Sequence, residues 1–390
     1  MAARIVNHFL IEKPKLKRTW RHFHCSGSHK IQRQATELKK RMTQQDAREP
    51  ITDKVTLKLV AQYAGCTAST VSAVINASPA ARVISQETKE RVLAAARELN
   101  YQPNFAARSL RMKRTYTVGV ITEEIGDPYG GLVIGGIECF LTSKNYFFAA
   151  VAHRHDRQLL HHYSKFLLSR GVEGLITIDT SMWEALNVPT VAVAGHRPMK
   201  GLTNIVLDHR RAAELALCHL WELGHRHVAF LRGQSFSSDS RDRWQSILEV
   251  AGKIGIEINP ELTAELHDDD PSPQVGYRAA RQLISRSHRF TALFAYNDIS
   301  AIGAIRAIRE TGARVPDDIS VIGFDDIREA AYQFPSLTTI RQPLRSMGET
   351  AARTLVSRIE GQQDYPTQIA IEPELVIRES TARCRTESTA

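Results

Sequence analysis

Long apolar runs are missing from this chain of 390 residues. No segment approaches the roughly 20 residues needed to cross a bilayer. No apolar secretory segment follows Met1, so neither a membrane partner nor export is expected. Cysteine is scarce. Cys25, Cys66, Cys139, Cys218 and Cys384 are odd in number and widely spaced, and no C-x-x-C occurs. That pattern argues against a disulfide framework and suits reduced thiols in the cytoplasm. The chain also lacks G-x-G-x-x-G, a P-loop and G-x-S-x-G, the motifs that would point to a dinucleotide enzyme, an NTPase or a serine hydrolase.

Metal-ligand patterns are equally thin. His22, His24 and Cys25 lie together, but no second ligand pair follows at finger spacing. His153, His155, His161 and His162 read as a helix surface without a matched carboxylate set. No metal, cofactor or catalytic residue is expected.

What is present begins with charge. The net +9 is unevenly placed. Residues 1–41 carry eleven Lys and Arg against Glu12 and Glu37, while residues 116–390 are mildly acidic. A basic front on an acidic body suggests a polyanion partner for the front alone. Residues 1–54 read as a disordered basic extension. An open alternative takes Met42 as the true start.

Three helices are expected next. TLKLVAQYAG has Thr56 as a cap and Leu57, Val60, Ala61 and Ala64 on one face. Gly65-Cys66 is a turn. Thr67 caps a second helix whose apolar face is Val71, Val74 and Ile75. Ser85 caps a third, with Val92, Leu93, Ala96 and Leu99 as its stripe, ended by Asn100-Tyr101-Gln102-Pro103. Two short helices across a Gly turn, then a third, outline a helix-turn-helix. The second helix is uncharged and rich in hydroxyls. Small side chains of that kind allow close approach to base edges in a major groove, while a three-helix packing module without DNA is the bland alternative.

From Thr117 the pattern changes. TVGVIT, YFFAAV, GLITI, TVAVAG, HVAFLRG, TALFAY and ISVIGF alternate with helical stretches such as GLVIGGIECFLTSKN, RRAAELALCHLWELG and DISAIGAIRAIRETG. Continuous apolar strands separated by helices predict parallel sheets covered on both faces, in two doubly wound lobes. Ligands bind beyond the carboxyl ends of such strands. There stand Glu123, Asp127, Tyr129, His196, Arg197, Arg241, Asn297, Asp298, Asp325 and Asp326, a set suited to a hydroxylated small molecule. Asn297, Asp298 and Asp325 are equally candidate helix caps.

Several long stretches, in order, carry a resemblance over about residues 55–380. They are VTLKLVAQYAGCTASTVSAVIN, ISQETKERVLAAARELNYQPNFAARSLRMKRTYTVGVI, LGHRHVAFLRG, YNDISAIGAIRAIRETGARVPDDISVIGFDD and PSLTTIRQPLRSMGETAARTL. The sequence closely resembles LacI/GalR-family transcription regulators. The resemblance implies an α/β protein: an all-α helix-turn-helix domain at 55–103, a hinge helix and linker at 104–115, and a periplasmic-binding-protein-like core at 116–384. Lobe one would be about 116–207 and 341–369, and lobe two about 208–340 and 370–384. It implies Ala68, Ser69 and Ala73 as base-reading positions. Thr56, Thr67, Thr70, Ser72 and Asn76 would contact the DNA backbone, with Tyr101, Asn104 and Ala107 in the DNA-contacting set. Arg108 and Arg111 would lie near phosphates, and Leu110 would be a minor-groove wedge. Tyr129, Arg241, Asn297 and Asp325 would hold the effector. The implied partners are a pseudo-palindromic double-stranded operator, a sugar-like effector, and a second copy in a homodimer.

The sequence also departs from the family. Ala73 stands where many members have a guanine-reading Arg. Leu59 replaces a usual acidic residue, SPAARVI is longer than typical, and Ala194-Gly195 follows TVAV where many members place Asp. No apolar heptad ends the chain, which favours a dimer over a tetramer. The residues leave two other classes open. A cytosolic solute-binding protein of the same core would not need the helix-turn-helix. An enzyme on the same lobes would need a motif the chain does not show.

Overall fold

The computed structural model describes residues 55–385, apart from 104, 183, 196–198, 236, 268–269, 271 and 287–288. The expected extension, residues 1–54, lies outside the described residues. The described residues fall into two compact units divided after Leu110.

In the first unit, α1 (Leu57–Ala64) starts at Thr56, whose hydroxyl accepts from the Leu59 amide, and ends at Gly65 with φ +62°. A left-handed residue there stops the helix and lets the chain turn, which glycine does without steric strain. Helix α2 (Ala68–Ile75) starts at Thr67 in the same way. Helix α3 (Gln86–Glu98) is capped by Ser85. The long SPAARVI stretch is taken up by a 3-10 turn, Pro79–Val83. Val60, Ala61, Ala64, Val71, Val92 and Ala95 form the core. Leu93, expected in the stripe, is 45% exposed, and Ala95 takes its place in the core. Helix α4 (Phe105–Met112) follows.

The second unit holds two six-stranded sheets. The first contains β1 (Thr117–Thr122), β2 (Phe147–Ala152), β3 (Gly174–Ile178), β4 (Thr190–Val193), β5 (Leu202–Leu207) and β11 (Gln368–Ile371). Its order is β11-β5-β4-β3-β1-β2, and every pairing is parallel. Helices α5 (Pro128–Ser143), α6 (Arg157–Ser169) and α12 (Leu344–Ile359) belong with it. The second sheet contains β6 (Val228–Arg232), β7 (Thr263–Glu265), β8 (Ala292–Phe294), β9 (Ser320–Asp325), β10 (Thr338–Arg341) and β12 (Glu374–Val376). Its order is β12-β10-β9-β8-β6-β7. It is not wholly parallel as expected, because β12 pairs antiparallel with β10. Helices α7 (His209–Glu222), α8 (Ser238–Ile254), α9 (Gln274–Ser285), α10 (Asp298–Glu310) and α11 (Arg328–Tyr332) belong with the second sheet.

The chain therefore passes between sheets three times, after β5, after β10 and after β11. The interior strands of both sheets are buried on both faces, as their continuous apolar runs require, whereas the edge strand β2 leaves Phe147 exposed. The carboxyl ends of β1, β3 and β9 deliver residues to one cleft.

Candidate functional site

The first candidate surface is the start of α2. Thr67 and Ser69 are exposed, and Ala68, Thr70 and Ser72 are half-buried. The Thr67 hydroxyl stands 2.8 Å from the Ser69 hydroxyl and 2.9 Å from the Thr70 hydroxyl. It also accepts from the Thr70 amide. Asn76 closes the helix, its Nδ2 donating to the Ser72 carbonyl at 2.8 Å. Thr56 is similarly engaged as the cap of α1. Ala73, expected among the base-facing positions, is a correction: it is 9% exposed, on the side of the helix turned into the protein. Tyr101 is also partly buried, packed against the three-helix core.

Helix α4 carries most of the other positions expected to contact DNA. Arg108 is exposed, and Leu110 is 84% exposed, an unusual state for a leucine. Ala107 and Arg111 lie on this helix. Asn104 lies outside the described residues.

The second candidate is a cleft in the two-sheet unit, enclosing about 910 Å³ with its open mouth. Thr122, Glu123, Asp127, Tyr129 and Asp179 line it from the first sheet's side, and Ser237, Asp239, Arg243, Tyr296, Asn297 and Asp325 from the second. Asp127 caps α5 by accepting from the Gly130 amide at 3.1 Å, and burial raises its pKa. Tyr129 follows two residues later. Its hydroxyl is shielded from solvent and has no hydrogen-bond partner. Burial first, and then neighbouring carboxylates, raise its pKa well above the usual tyrosine value.

Asp325 ends β9 at φ +109°, a conformation L-residues rarely adopt. Such strain costs about 1–3 kcal/mol and clusters at functional sites. Its Oδ1 accepts from Gln342 at 2.6 Å. Burial raises its pKa well above the ordinary carboxyl range. Asn297 reaches the same cleft while capping α10. Its Oδ1 accepts from the Ser300 amide at 2.9 Å, and the Ser300 hydroxyl bonds back to the Asn297 amide at 3.2 Å. This leaves the carboxamide nitrogen as its donor to the cleft.

Arg241 is a correction. Its side chain is 76% exposed, pairs with Asp242 at 3.6 Å, and does not line the cleft. The cleft takes Arg243 instead. Arg243 is buried and bonded to Asp239. It donates to the Tyr296 carbonyl, and its guanidinium lies 3.6 Å from the Phe324 ring centroid. Helical geometry explains the exchange. Asp239 and Arg243 are four apart on α8 and share a face, whereas Arg241 points elsewhere. The 239/243 spacing was the signal available in the sequence. Asp239 Oδ1 also lies 2.9 Å from Nε2 of His209, at the first turn of α7.

Other expected positions do structural work. Asp298 is buried beneath α10, accepting from Thr339 at 2.6 Å and from the Ile327 amide at 2.9 Å. Asp326 clamps Arg341 and Arg378. Neither Asp298 nor Asp325 is the cap residue of a helix. His196 and Arg197 lie outside the described residues. The four histidines do not form one helix surface. His153 is buried after β2, 3.0 Å from the Thr180 hydroxyl, and His155 pairs with Glu123. Among the described residues no three metal-ligating side chains converge, and no helix is long and apolar enough to cross a membrane.

Comparison with known proteins agrees with this pairing of surfaces. Residues 56–104 match the model of bacterial regulatory proteins, lacI family. Residues 217–381 match a periplasmic binding protein-like domain. The chain is 35% identical over 336 residues to the HTH-type transcriptional repressor PurR of Yersinia enterocolitica, covering 84% of this chain and 97% of that protein. Among solved structures it resembles a lac repressor dimer bound to operator and the anti-inducer ONPF. The TM-score there is 0.76 at 29% identity, over 85% of this chain and 100% of that one. A transcriptional regulator CelR–cellobiose complex matches with TM-score 0.63 at 28% identity, over 84% of this chain and 99% of that one.

Proposed function

The chain belongs to the LacI family of bacterial regulatory proteins, and from that membership we propose that it is a sequence-specific DNA-binding repressor of the cytoplasm, not an enzyme. It acts as a homodimer on a pseudo-palindromic operator, and a small molecule held between the two lobes of its core sets operator affinity. Residues 55–103 form the reading domain, 104–115 the hinge, and 116–384 the effector-binding and dimerisation core. The lobes divide near 207, 341 and 370. One observation carries the reading: a single chain joins a capped helix-turn-helix to a cleft with a strained, buried carboxyl at its centre.

DNA contact divides between two helices. Thr56, Thr67, Thr70, Ser72 and Asn76 position the reading helix through phosphates, while Ala68 and Ser69 approach base edges. Tyr101, Asn104 and Ala107 belong to the hinge side of the contact. Arg108 and Arg111 neutralise phosphates, and Leu110 enters the minor groove as a wedge. Its 84% exposure on α4 supports that role.

The effector is an uncharged hydroxylated molecule, a sugar or a sugar derivative. Glu123, Glu124, Asp127, Asp179, Asp239, Asp270 and Asp325 line the cleft, against Arg243, already held by Asp239, and His155, held by Glu123. That balance disfavours a phosphorylated or acidic ligand. Tyr129, Asn297, Arg243 and Asp325 supply hydroxyl, carboxamide, guanidinium and carboxyl groups for polar recognition. Closing the lobes on the ligand biases α4 between ordered and loose states. A coupling of about 1–3 kcal/mol suffices for such a switch.

The test is binding of Leu110→Ala to a selected operator and to random DNA. The variant should lose affinity for the operator and keep it for random DNA. Equal loss on both refutes the wedge. In parallel, any sugar that raises the melting temperature of the parent protein should leave Asp325→Ala unmoved.

A further inference from the structure

We infer that each half-operator is read in the major groove through hydroxyl and methyl groups alone, with the thymine methyl as the favoured contact and no bidentate contact to a purine. This rests on the DNA-binding reading above.

From Thr67 to Ile75 no side chain carries a charge or a carboxamide. Strong discrimination at a base pair comes from paired donors and acceptors on one side chain, as in Arg on guanine or Asn and Gln on adenine. Such a pair separates right from wrong base by roughly 5- to 150-fold. Helix α2 exposes no such fork. Its exposed polar atoms are the hydroxyls of Thr67 and Ser69, already within 2.8 Å of each other. Thr67 is further tied to Thr70. A hydroxyl bonds to acceptors and donors alike, so it accepts several bases at one position. The nearest carboxamide, Asn76, sits at the far end of the helix with Nδ2 directed to the Ser72 carbonyl and hydroxyl. Position 73 is closed, because its alanine is buried.

What remains is apolar. Ala68 carries its methyl group at a half-buried position beside the exposed hydroxyl of Ser69. The C5-methyl of thymine is the one apolar group on a major-groove edge, and alanine and threonine methyls are its natural contacts. The helix therefore matches A·T-containing half-sites by surface fit rather than by a hydrogen-bond code.

The experiment is selection from a random-sequence duplex library by the full chain, followed by affinities for point-substituted sites. Outer half-site positions should each discriminate A·T from G·C by less than roughly 5-fold, below the bidentate range. Replacing the half-site thymines by uracil, which removes only the methyl, should weaken binding several-fold. Ser69→Arg, at an exposed position, supplies the missing fork. It should create a new G·C preference within the bidentate range at one position per half-site. If the parent chain enriches no sequence while Ser69→Arg does, the thymine-methyl preference is overturned. A strong G·C preference in the parent chain overturns the inference. Unchanged affinity on every uracil-substituted site overturns the methyl contact. If neither protein retains DNA at low salt, the DNA-binding reading itself fails.

Discussion

Asp298 shows how a residue that looks functional in sequence is structural in fact. It is buried, accepts two hydrogen bonds, and has its pKa raised by burial to about 7. A carboxyl raised in the folded state stabilises the protein fully below its unfolded pKa near 4. That contribution is lost as pH rises through 7. Between those limits the single group tilts stability downward by at most about 1.4 kcal/mol per pH unit. Urea unfolding midpoints should therefore fall less steeply from pH 5 to pH 8 in Asp298→Asn than in the parent. An identical slope in both proteins would show that Asp298 does not hold a proton in this range. At the same scale, the sequence reveals the kind of residue in the cleft better than its number. Asp325, Asn297 and Tyr129 are legible because they stand at the carboxyl end of a strand or in the segment that follows one. Arg243 is missed because its role depends on which way a helix face turns, and Arg241 stands only two residues away. Tyr296 is missed because it reads as the last apolar residue of TALFAY, although its ring lines the cleft.

Elements are legible where local signals agree. Helix α10 begins at Asn297 because cap and N3 serine bond reciprocally, and its apolar period continues to Glu310. Strand β5 is missed because Thr203 and Asn204 interrupt it, although both are buried in the sheet. Strands β7 and β12 are only three residues long, too short for any period to show. Helix crossings are another feature that no period announces. A Cβ on Gly136 of α5 would lie 1.9 Å from the Arg345 carbonyl of α12, and one on Gly348 would lie 2.0 Å from the Val133 carbonyl. The second lobe repeats the device. A Cβ on Gly303 of α10 would lie 1.9 Å from the Pro273 carbonyl, and one on Gly276 of α9 would lie 2.1 Å from the Ser300 carbonyl. The obstruction is backbone, so the helices must separate to admit a methyl group. Gly303→Ala and Gly348→Ala should each lower stability by about 1–3 kcal/mol, the usual range for overpacking. Gly252 on α8 is the control, since a Cβ there meets nothing within 4 Å. Gly252→Ala should raise stability by about 0.5–1 kcal/mol through helix propensity. Equal effects at 252 and 303, measured by urea unfolding, would rule out the tight crossings.

For the whole molecule the decisive pattern is charge against sequence position. Residues 1–41 carry eleven basic and two acidic side chains, enough to account for the net +9 of the entire chain. Helix α2 carries no charge and can neutralise no phosphate, so salt-dependent, non-specific attraction has to come from basic residues elsewhere. Each phosphate neutralised contributes about 0.9 to the slope of log affinity against log salt. A chain beginning at residue 51 should therefore bind random DNA more weakly at low salt and show a slope smaller by several units. Its selected operator should be unchanged, because α2 and Leu110 are intact. Competition assays across a salt series, read for slope on random and on selected DNA, separate the two contributions. An unaltered slope would place the phosphate contacts on Arg108, Arg111 and the helix-turn-helix alone. The extension would then have a partner other than the DNA backbone.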